Sequence, residues 1–258
     1  MNPEVRAHYQ PSPERLAGRV VLVTGATGGI GSAVCRLLAR AGATVVLLDR
    51  ELKSLEALYD ELTALGPEPA IYPMNLEGAA FEHYPEAAQR IQDELGRLDG
   101  LIHLAALLGR PAPLELYDIE AWYQTLQVNL NAAFMLTRAC LPLLRKAPDA
   151  SIVFAADAVG RDGGPYWGAY AVAKAGLEGL MKVLATELAG TTSVRVNTLD
   201  PGPTATPLRK SAYPAESGDH LAAPEAVAGA FVRLIDPEGA AYHGEALRVE
   251  RSNPDAAS

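Results

Sequence analysis

The feature that most constrains the fold is an alternation of short apolar runs with segments of helical periodicity. The run at residues 19–24 (RVVLVT) is short, β-branched and ended by glycine, which is typical of a buried strand. In residues 29–41 the apolar side chains recur at helical spacing, and Gly42 provides a stop. The same alternation predicts further strands at 44–48, 69–74, 99–104, 151–156, 193–199 and 245–249, and further helices at 53–65, 79–95, 118–146, 168–189 and 224–235.

Strands that are apolar throughout and alternate with helices belong to a parallel sheet that is covered on both faces. The 258 residues contain no linker rich in Pro, Gly or Ser and no shift in composition. We therefore predict one doubly wound α/β domain with a sheet of about seven strands. Residues 1–17 are expected to form an N-terminal tail, and the domain would span 18–258. A substrate-side segment is expected near 203–223, where the pattern loosens.

Charge and cysteine usage exclude several classes of protein. The 22 basic and 31 acidic residues give a formal net charge of −9, which is the wrong sign for a broad nucleic-acid surface or an anionic-membrane binder. No apolar run approaches the ~18 residues of a membrane span, and the N-terminus lacks a signal peptide's apolar core. Cys35 and Cys140 lie in apolar helical patterns. We expect them to be reduced core thiols of a cytoplasmic protein, with no metal site.

A glycine-rich loop joins the first predicted strand to the first predicted helix. Glycines let the backbone turn sharply and approach a pyrophosphate, and the helix N-terminus offers it free N–H groups. A glycine triplet alone is weak evidence, but here the next strand ends in an acid that is placed to accept from an adenosine ribose. This context predicts a dinucleotide site formed by Gly25, Thr27, Gly28, Gly29, Ile30, Gly31, Asp49 and Arg50.

Asp49 and its neighbour bear on which dinucleotide is bound. A carboxylate at the ribose repels the 2′-phosphate of NADP, and Gly28 supplies no cation to receive that phosphate. Arg50 argues the other way, because an arginine beside the ribose can pair with the phosphate. On balance we predict that NAD is favoured over NADP.

Tyr170 and Lys174 lie four residues apart in the predicted helix 168–189. This spacing puts both side chains on one helix face, with Cβ atoms about 5–6 Å apart. A nearby ammonium favours the phenolate, so such a tyrosine can act as a general acid or base nearer neutral pH. The pair is common by chance, and it gains weight only from the motifs around it.

Several motifs occur together in one order. They are the Thr-Gly-x-x-x-Gly-x-Gly loop from Thr24, Asn129 within Val-Asn-Leu, Tyr170-x-x-x-Lys174, and Pro201-Gly202. In this order and spacing, the chain resembles the classical short-chain dehydrogenase/reductase family over nearly its whole length, and it is similar to a bacterial subgroup of uncharacterised oxidoreductases. The resemblance implies a Rossmann-type fold and hydride transfer between a nicotinamide cofactor and a small alcohol or carbonyl substrate.

The resemblance also implies roles for individual residues. Tyr170 would exchange a proton with the substrate oxygen, and Lys174 would hold the nicotinamide ribose and lower the pKa of Tyr170. Asn129 would kink its helix and hold a water that links Lys174 to solvent. The other cofactor-binding residues it implies are Asn75 (where the family usually has Asp), Leu76, Ala105, Pro201, Gly202, Thr204 and Thr206.

The chain departs from the family pattern at the catalytic serine. Asp157 occupies that position, thirteen residues before Tyr170, and its alanine neighbours supply no hydroxyl. An ionised Asp157 would accept hydrogen bonds and donate none, whereas a dry pocket would keep it protonated and able to donate. We favour the ionised form. The family's Asn-Asn-Ala-Gly run is also altered, since it reads His103-Leu104-Ala105-Ala106, and the common C-terminal Asp-Gly-Gly is absent.

Two functions follow from these observations. The leading hypothesis is an NAD(P)-dependent oxidoreductase; the alternative, favoured by Asp157, is a cofactor-binding protein with weak or no turnover that acts as a sensor or assembly partner. A nucleotide-sugar epimerase would normally need a larger C-terminal domain. Trp167 is a pocket wall, a hydrophobic staple of the following helix or an oligomer contact. Arg161 either pairs with Asp157 or is solvated, and His103 is interpreted as a packing residue. Helices 118–146 and 168–189 are apolar on more than one face, which predicts a homodimer or homotetramer.

Overall fold

The sheet has eight strands, all parallel, in a computed structural model that describes residues 3–250. The strand order is β1-β8-β7-β6-β5-β2-β3-β4. The prediction of a doubly wound parallel sheet is therefore confirmed, with one strand more than expected. The strands are β1 (Glu4–Arg6), β2 (Val20–Thr24), β3 (Thr44–Asp49), β4 (Ala70–Pro73), β5 (Gly100–His103), β6 (Ala150–Ala155), β7 (Val194–Asp200) and β8 (Ala246–Glu250).

Helices cover both faces of the sheet, and each face has its own apolar core. In β2, Val21 and Val23 pack into one core, while Val20 and Leu22 pack into the other, because successive strand side chains point to opposite faces. The helices are α1 (Gly29–Arg40), α2 (Leu52–Thr63), α3 (His83–Leu95), α4 (Ile119–Leu126), α5 (Ala132–Leu144), α6 (Ala158–Asp162), α7 (Gly168–Leu188), α8 (Pro207–Ala212) and α9 (Pro224–Ile235). Helices α1, α2 and α9 contribute to the first core, and α3, α5 and α7 to the second.

The segment expected to be an N-terminal tail is part of the domain. Its residues 4–6 form the edge strand β1, which pairs with β8, and Val5 and Leu16 are fully buried. The guanidinium of Arg15 forms a two-pronged ion pair with the buried Asp236, with N–O distances of 2.9 and 2.8 Å. Three residues of strand are too short to leave a periodic signal, so the sequence pattern missed them. Residues 1–2 of the expected tail and 251–258 of the expected domain lie outside the described residues.

The long helix expected at 118–146 is interrupted. Between α4 and α5, residues 127–131 form a π-helical turn centred on Asn129. The Asn129 amide nitrogen donates to the carbonyl oxygens of Thr125 (2.8 Å) and Leu107 (2.7 Å). An inserted side-chain donor of this kind competes with the backbone ladder, which accounts for the wider turn.

Two short helices escaped the sequence pattern, and each has a side-chain cap. Asp157 caps α6 by accepting from the Val159 amide (3.0 Å), and Thr206 caps α8 by accepting from the Arg209 amide (3.1 Å). The two cysteines are buried and unpaired, and burial raises the pKa of the Cys140 thiol to about 12. None of the helices in residues 3–250 has both the length and the apolar composition needed to cross a bilayer.

Candidate active site

A cleft of about 1090 Å³ opens at the carboxyl ends of the strands, where the order reverses between β2 and β5. This is where open α/β sheets bind ligands. Asp157 lines the cleft, and so does every residue that the sequence analysis assigned to cofactor binding: Gly25, Thr27, Gly28, Gly29, Ile30, Gly31, Asp49, Arg50, Asn75, Leu76, Ala105, Tyr170, Lys174, Pro201, Gly202, Thr204 and Thr206. The fold thus brings together side chains from positions 25 to 206.

The glycine loop is packed too tightly for side chains. Gly25 has φ +65°, and a Cβ there would lie 2.7 Å from the backbone nitrogen of Ala105. A Cβ on Gly31 would lie 2.0 Å from the carbonyl oxygen of Gly25. Gly25 and Gly31 therefore present only backbone at these positions, and α1 begins within the loop at Gly29. Backbone N–H groups at a helix N-terminus fit the pyrophosphate of a dinucleotide.

Asp49 is held in place at the end of β3. Its Oδ2 atom accepts from the Thr27 amide (3.1 Å) and hydroxyl (2.7 Å), and its Oδ1 atom accepts from the Arg50 amide (2.8 Å). The Arg50 side chain is exposed and forms no ion pair within the described part of the chain. The Asp49 carboxylate is therefore held by hydrogen bonds, whereas the guanidinium of the next residue, Arg50, has no ion-pair partner among the described residues.

Tyr170, Asp157 and Lys174 meet at the cleft beside the end of β6. The Tyr170 hydroxyl donates to Oδ2 of Asp157 (3.1 Å), and the Lys174 ammonium donates to the carbonyl oxygen of Ala155 (2.7 Å). The ammonium lies 5.4 Å from the centroid of the Tyr170 ring. Tyr170 and Lys174 are each only 4% exposed, so solvent poorly screens the electrostatic interactions of both side chains.

Burial dominates the electrostatics of this group. It raises the pKa of Tyr170 well above its usual value, and the carboxylates of Asp157 and Asp200 raise that pKa further. Burial also lowers the pKa of Lys174 to about 8, although the same two carboxylates oppose that shift. The net shift of the Tyr170 pKa is therefore upward, opposite to the lowering by Lys174 that the resemblance implies. The tyrosine is a neutral donor to Asp157.

Asn129 lies behind Lys174 and lines a second, small cavity. This cavity of about 10 Å³ matches the space of a single water molecule, and Lys174 and His103 also line it. His103 stacks on Phe154 with ring centroids 4.9 Å apart, and its Nε2 atom is 2.9 Å from the Thr137 hydroxyl. Burial lowers the pKa of His103 to about 3, so it is a neutral packing residue.

Arg161 takes neither of the two expected roles. It pairs with Glu178 and with Asp200, both buried, and leaves Asp157 alone. The second oxygen of Asp200 accepts from the Gly202 amide (2.9 Å) and so fixes the Pro201-Gly202 turn. The sequence analysis missed Asp200, although a carboxylate at a strand end directly before Pro-Gly was a usable signal.

One part of the cleft is lined by aromatic rings. The Trp167 ring lies 5.5 Å from that of Tyr170 and 5.8 Å from that of Tyr213. The Arg209 guanidinium lies 3.9 Å above the Tyr213 ring and forms two hydrogen bonds to Glu216 (2.7 and 2.6 Å). Trp167 is therefore a pocket wall. The part played by Tyr213 was missed because it belongs to the irregular stretch 203–223.

The sequence model of the short chain dehydrogenase family matches residues 19–217. The chain belongs to this family. Among its relatives, the uncharacterised oxidoreductase YciK of Escherichia coli (strain K12) is 41% identical over 229 residues, which are 88% of this chain and 90% of that protein. A short chain dehydrogenase structure from Pseudomonas syringae has 47% identity and a TM-score of 0.91, covering 94% and 98% of the two chains. A Shigella flexneri 2a structure complexed with NADP has 37% identity and a TM-score of 0.89, covering 92% and 99%.

In this short-chain dehydrogenase, Thr24 ties the altered run after β5 to β2. Its hydroxyl accepts from the amides of Leu104 and Ala105, both at 3.2 Å. The Thr24 hydroxyl thus holds the backbone at the position where the family pattern has an asparagine side chain and this chain has Leu104. The Leu104 side chain packs against the core instead. Across residues 3–250, no group of three or more His, Cys, Asp or Glu side chains is placed to hold a metal ion.

Proposed function

We propose that the protein is an NAD(P)-dependent oxidoreductase that moves a hydride between a nicotinamide cofactor and a small alcohol or carbonyl substrate. One observation carries this proposal: the buried Tyr170 hydroxyl and Lys174 ammonium line the same cleft as the glycine loop. When bound, the nicotinamide supplies or accepts the hydride. In this proposal the single α/β domain, which includes the edge strand β1, binds the cofactor, and the segment 203–223 borders the substrate.

Each group in the cleft has a task in this proposal. The loop backbone and the start of α1 hold the pyrophosphate, and Asp49 accepts from the adenosine ribose. Lys174 holds the nicotinamide ribose, and Asp200 fixes the Pro201-Gly202 turn beside it. Tyr170 exchanges the proton of the reacting group. Asn129 positions a water behind Lys174, in the cavity that both residues line.

We further propose that NAD(H) binds more tightly than NADP(H). The support is the fixed carboxylate of Asp49, which repels a 2′-phosphate, and the absence of a side chain at Gly28. The Shigella flexneri neighbour complexed with NADP does not support this preference. In this chain the uncommitted Arg50 side chain is the group through which NADP would bind.

Titration with NADH and NADPH, followed by fluorescence, tests both proposals, and turnover on a panel of carbonyl compounds completes the test. We expect binding of both cofactors, tighter for NADH, and measurable reduction. A protein that binds neither cofactor would contradict the proposed function.

One observation favours a second function, a cofactor-binding protein with weak or no turnover. The proton of the Tyr170 hydroxyl is already engaged by Asp157, at 3.1 Å, where a catalytic tyrosine must offer it to substrate. The same experiment separates the two functions, because this one requires cofactor binding without turnover on any substrate.

We also propose a cytoplasmic homodimer or homotetramer. The unpaired buried cysteines support a reducing compartment. Phe134 on α5 and Val172 and Val183 on α7 are exposed apolar side chains, which support self-association through these helices. Light scattering at micromolar concentration measures the oligomeric state.

A further inference from the structure

The reacting centre carries a carboxylate without a cationic partner. Oδ1 of Asp157 accepts from the Val159 amide (3.0 Å), and Oδ2 accepts from the Tyr170 hydroxyl (3.1 Å). Among residues 3–250, Asp157 forms no ion pair. Its negative charge therefore faces the cleft, next to the atom that would contact the substrate.

The cations around Asp157 are engaged elsewhere. Arg161 pairs with Glu178 and Asp200, and Arg209 is held by two hydrogen bonds to Glu216. The Lys174 ammonium donates to the carbonyl oxygen of Ala155. Lys174 and Arg209 interact electrostatically with the Asp157 carboxylate, but among residues 3–250 neither forms an ion pair with it.

Aromatic rings also line this pocket, and the face of one of them, Tyr213, carries the Arg209 guanidinium at 3.9 Å. Trp167 lies between Tyr170 and Tyr213, with ring centroids 5.5 and 5.8 Å away. Aromatic faces attract cations, and tryptophan does so most strongly. A carboxylate and aromatic rings that line the same pocket favour a small organic cation.

The hydrogen-bonding chemistry of a carboxylate also favours a cationic substrate over a carbonyl compound. A carbonyl oxygen only accepts hydrogen bonds, and an ionised carboxylate also only accepts, so the two repel each other. A protonated nitrogen donates, and a donor–carboxylate contact is charge-assisted. We propose, on the basis of the oxidoreductase function proposed above, that this site reduces substrates whose reacting centre is a protonated C=N group, an iminium ion, and yields amines.

The reaction balances without a proton supplied by the enzyme at the hydride step. The reduced nicotinamide gives a hydride, a proton with two electrons, and is thereby oxidised. A C–H bond forms at the iminium carbon, and the electron pair of the C=N π bond moves to nitrogen as a lone pair. The positive charge of the iminium is lost, and the amine takes a proton from solvent as it leaves. Tyr170, which already donates to Asp157, is then a positioning group rather than an acid.

The test compares two five-membered rings of similar shape, 2-methyl-1-pyrroline and cyclopentanone. The native protein should reduce the pyrroline with the higher kcat/KM. Asp157→Asn should lower kcat/KM for the pyrroline by about 10- to 100-fold, the worth of a hydrogen bond to a charged group. Asp157→Ser should lower it similarly and raise kcat/KM for the ketone. Asn and Ser both cap helices, so α6 is retained in each variant.

Asp162→Asn is the matched control. It removes a carboxylate at the exposed end of α6, whereas the Tyr170 hydroxyl donates to Asp157. We expect its pyrroline kinetics to stay within about threefold of native, since exposed charges interact weakly. Equal losses in the two asparagine variants would show that only the net charge of the cleft matters, which contradicts the proposal.

A binding measurement tests the proposal independently of turnover. Calorimetry on the protein saturated with oxidised cofactor should show pyrrolidinium binding at least about tenfold more tightly than cyclopentanol, and Asp157→Asn should abolish that difference. Native preference for cyclopentanone, or equal binding of the two ring compounds, overturns the iminium proposal and leaves the oxidoreductase function standing. Cofactor binding without turnover in any variant contradicts the oxidoreductase function, and the binding ratio then still decides whether the pocket selects cations.

Discussion

Replacing Arg161 with methionine would leave Glu178 and Asp200 without their shared cation. Glu178 would have no remaining ion-pair partner within the described residues, whereas Asp200 would keep the exposed Arg248 at 3.8 Å. Breaking a buried ion pair by removing one partner costs roughly 3–5 kcal/mol, because it strands a buried charge. Because Asp200 would keep Arg248 as a more distant partner, we expect the lower end of this range, a loss of about 3 kcal/mol in the free energy of unfolding.

For a domain of this size, such a loss lowers Tm by roughly 6–12 °C. Urea unfolding of the protein without added cofactor, read by far-UV circular dichroism, measures the free energy directly. Arg248→Met is the matched control, because it removes an arginine from the same Asp200 but from an exposed position. It should cost less than about 1 kcal/mol.

Adding Glu178→Met to Arg161→Met should recover part of the loss, because the stranded carboxylate is then gone. If the loss came from missing packing and not from the stranded charge, the double variant would recover none of the free energy of unfolding. If Arg161→Met costs no more than Arg248→Met, the assignment of Arg161 as the central cation of this buried network is wrong.

Three further changes test other parts of the site. Tyr170→Phe should lower turnover on carbonyl substrates by on the order of 10² or more, with the dissociation constant of the cofactor unchanged; undiminished turnover would remove Tyr170 as the proton donor. Asp49→Ala should narrow the difference in affinity between NADH and NADPH, as measured by fluorescence titration, because it removes a charge that repels the 2′-phosphate. His103 binds a proton in the unfolded chain below about pH 6.5 but not in the folded protein, where burial lowers its pKa to about 3. Stability is thus lost as pH falls through that window, and between pH 7 and 5 the native protein should lose about 2 kcal/mol more than His103→Asn in urea unfolding.

Most of the fold was predictable from sequence because its signals are local. A buried parallel strand is a short apolar run and a covering helix has a 3.6-residue period, so both can be recognised within a dozen residues. The helix 224–235 has the predicted bounds, and the helix 168–189 ends one residue early. The failures were short or interrupted elements. Strand β1, with three residues, and helix α6, with five, hold too few residues to show a period.

The site residues that could be predicted from the sequence are likewise those whose geometry is set locally. The glycine loop, Asp49 and the pair Tyr170 and Lys174 depend on spacing along the chain, because a strand–turn–helix or one helix turn sets their geometry. The resemblance then indicated that they act together, and in the structure all of them line one cleft.

The partners of charged side chains were decided by the tertiary structure alone. Arg161 had two expected environments, and it takes a third: its partners lie 17 and 39 residues further along the chain. The ring contact between Tyr213 and Trp167 likewise joins residues that are far apart in the chain. Sequence periodicity determines which side of an element faces the core, whereas an ion pair or ring contact depends on the distance between side chains of different elements. That distance is set only when the sheet and its helices pack together. For this reason the sequence could not show that Arg161 pairs with Glu178 and Asp200 and not with Asp157.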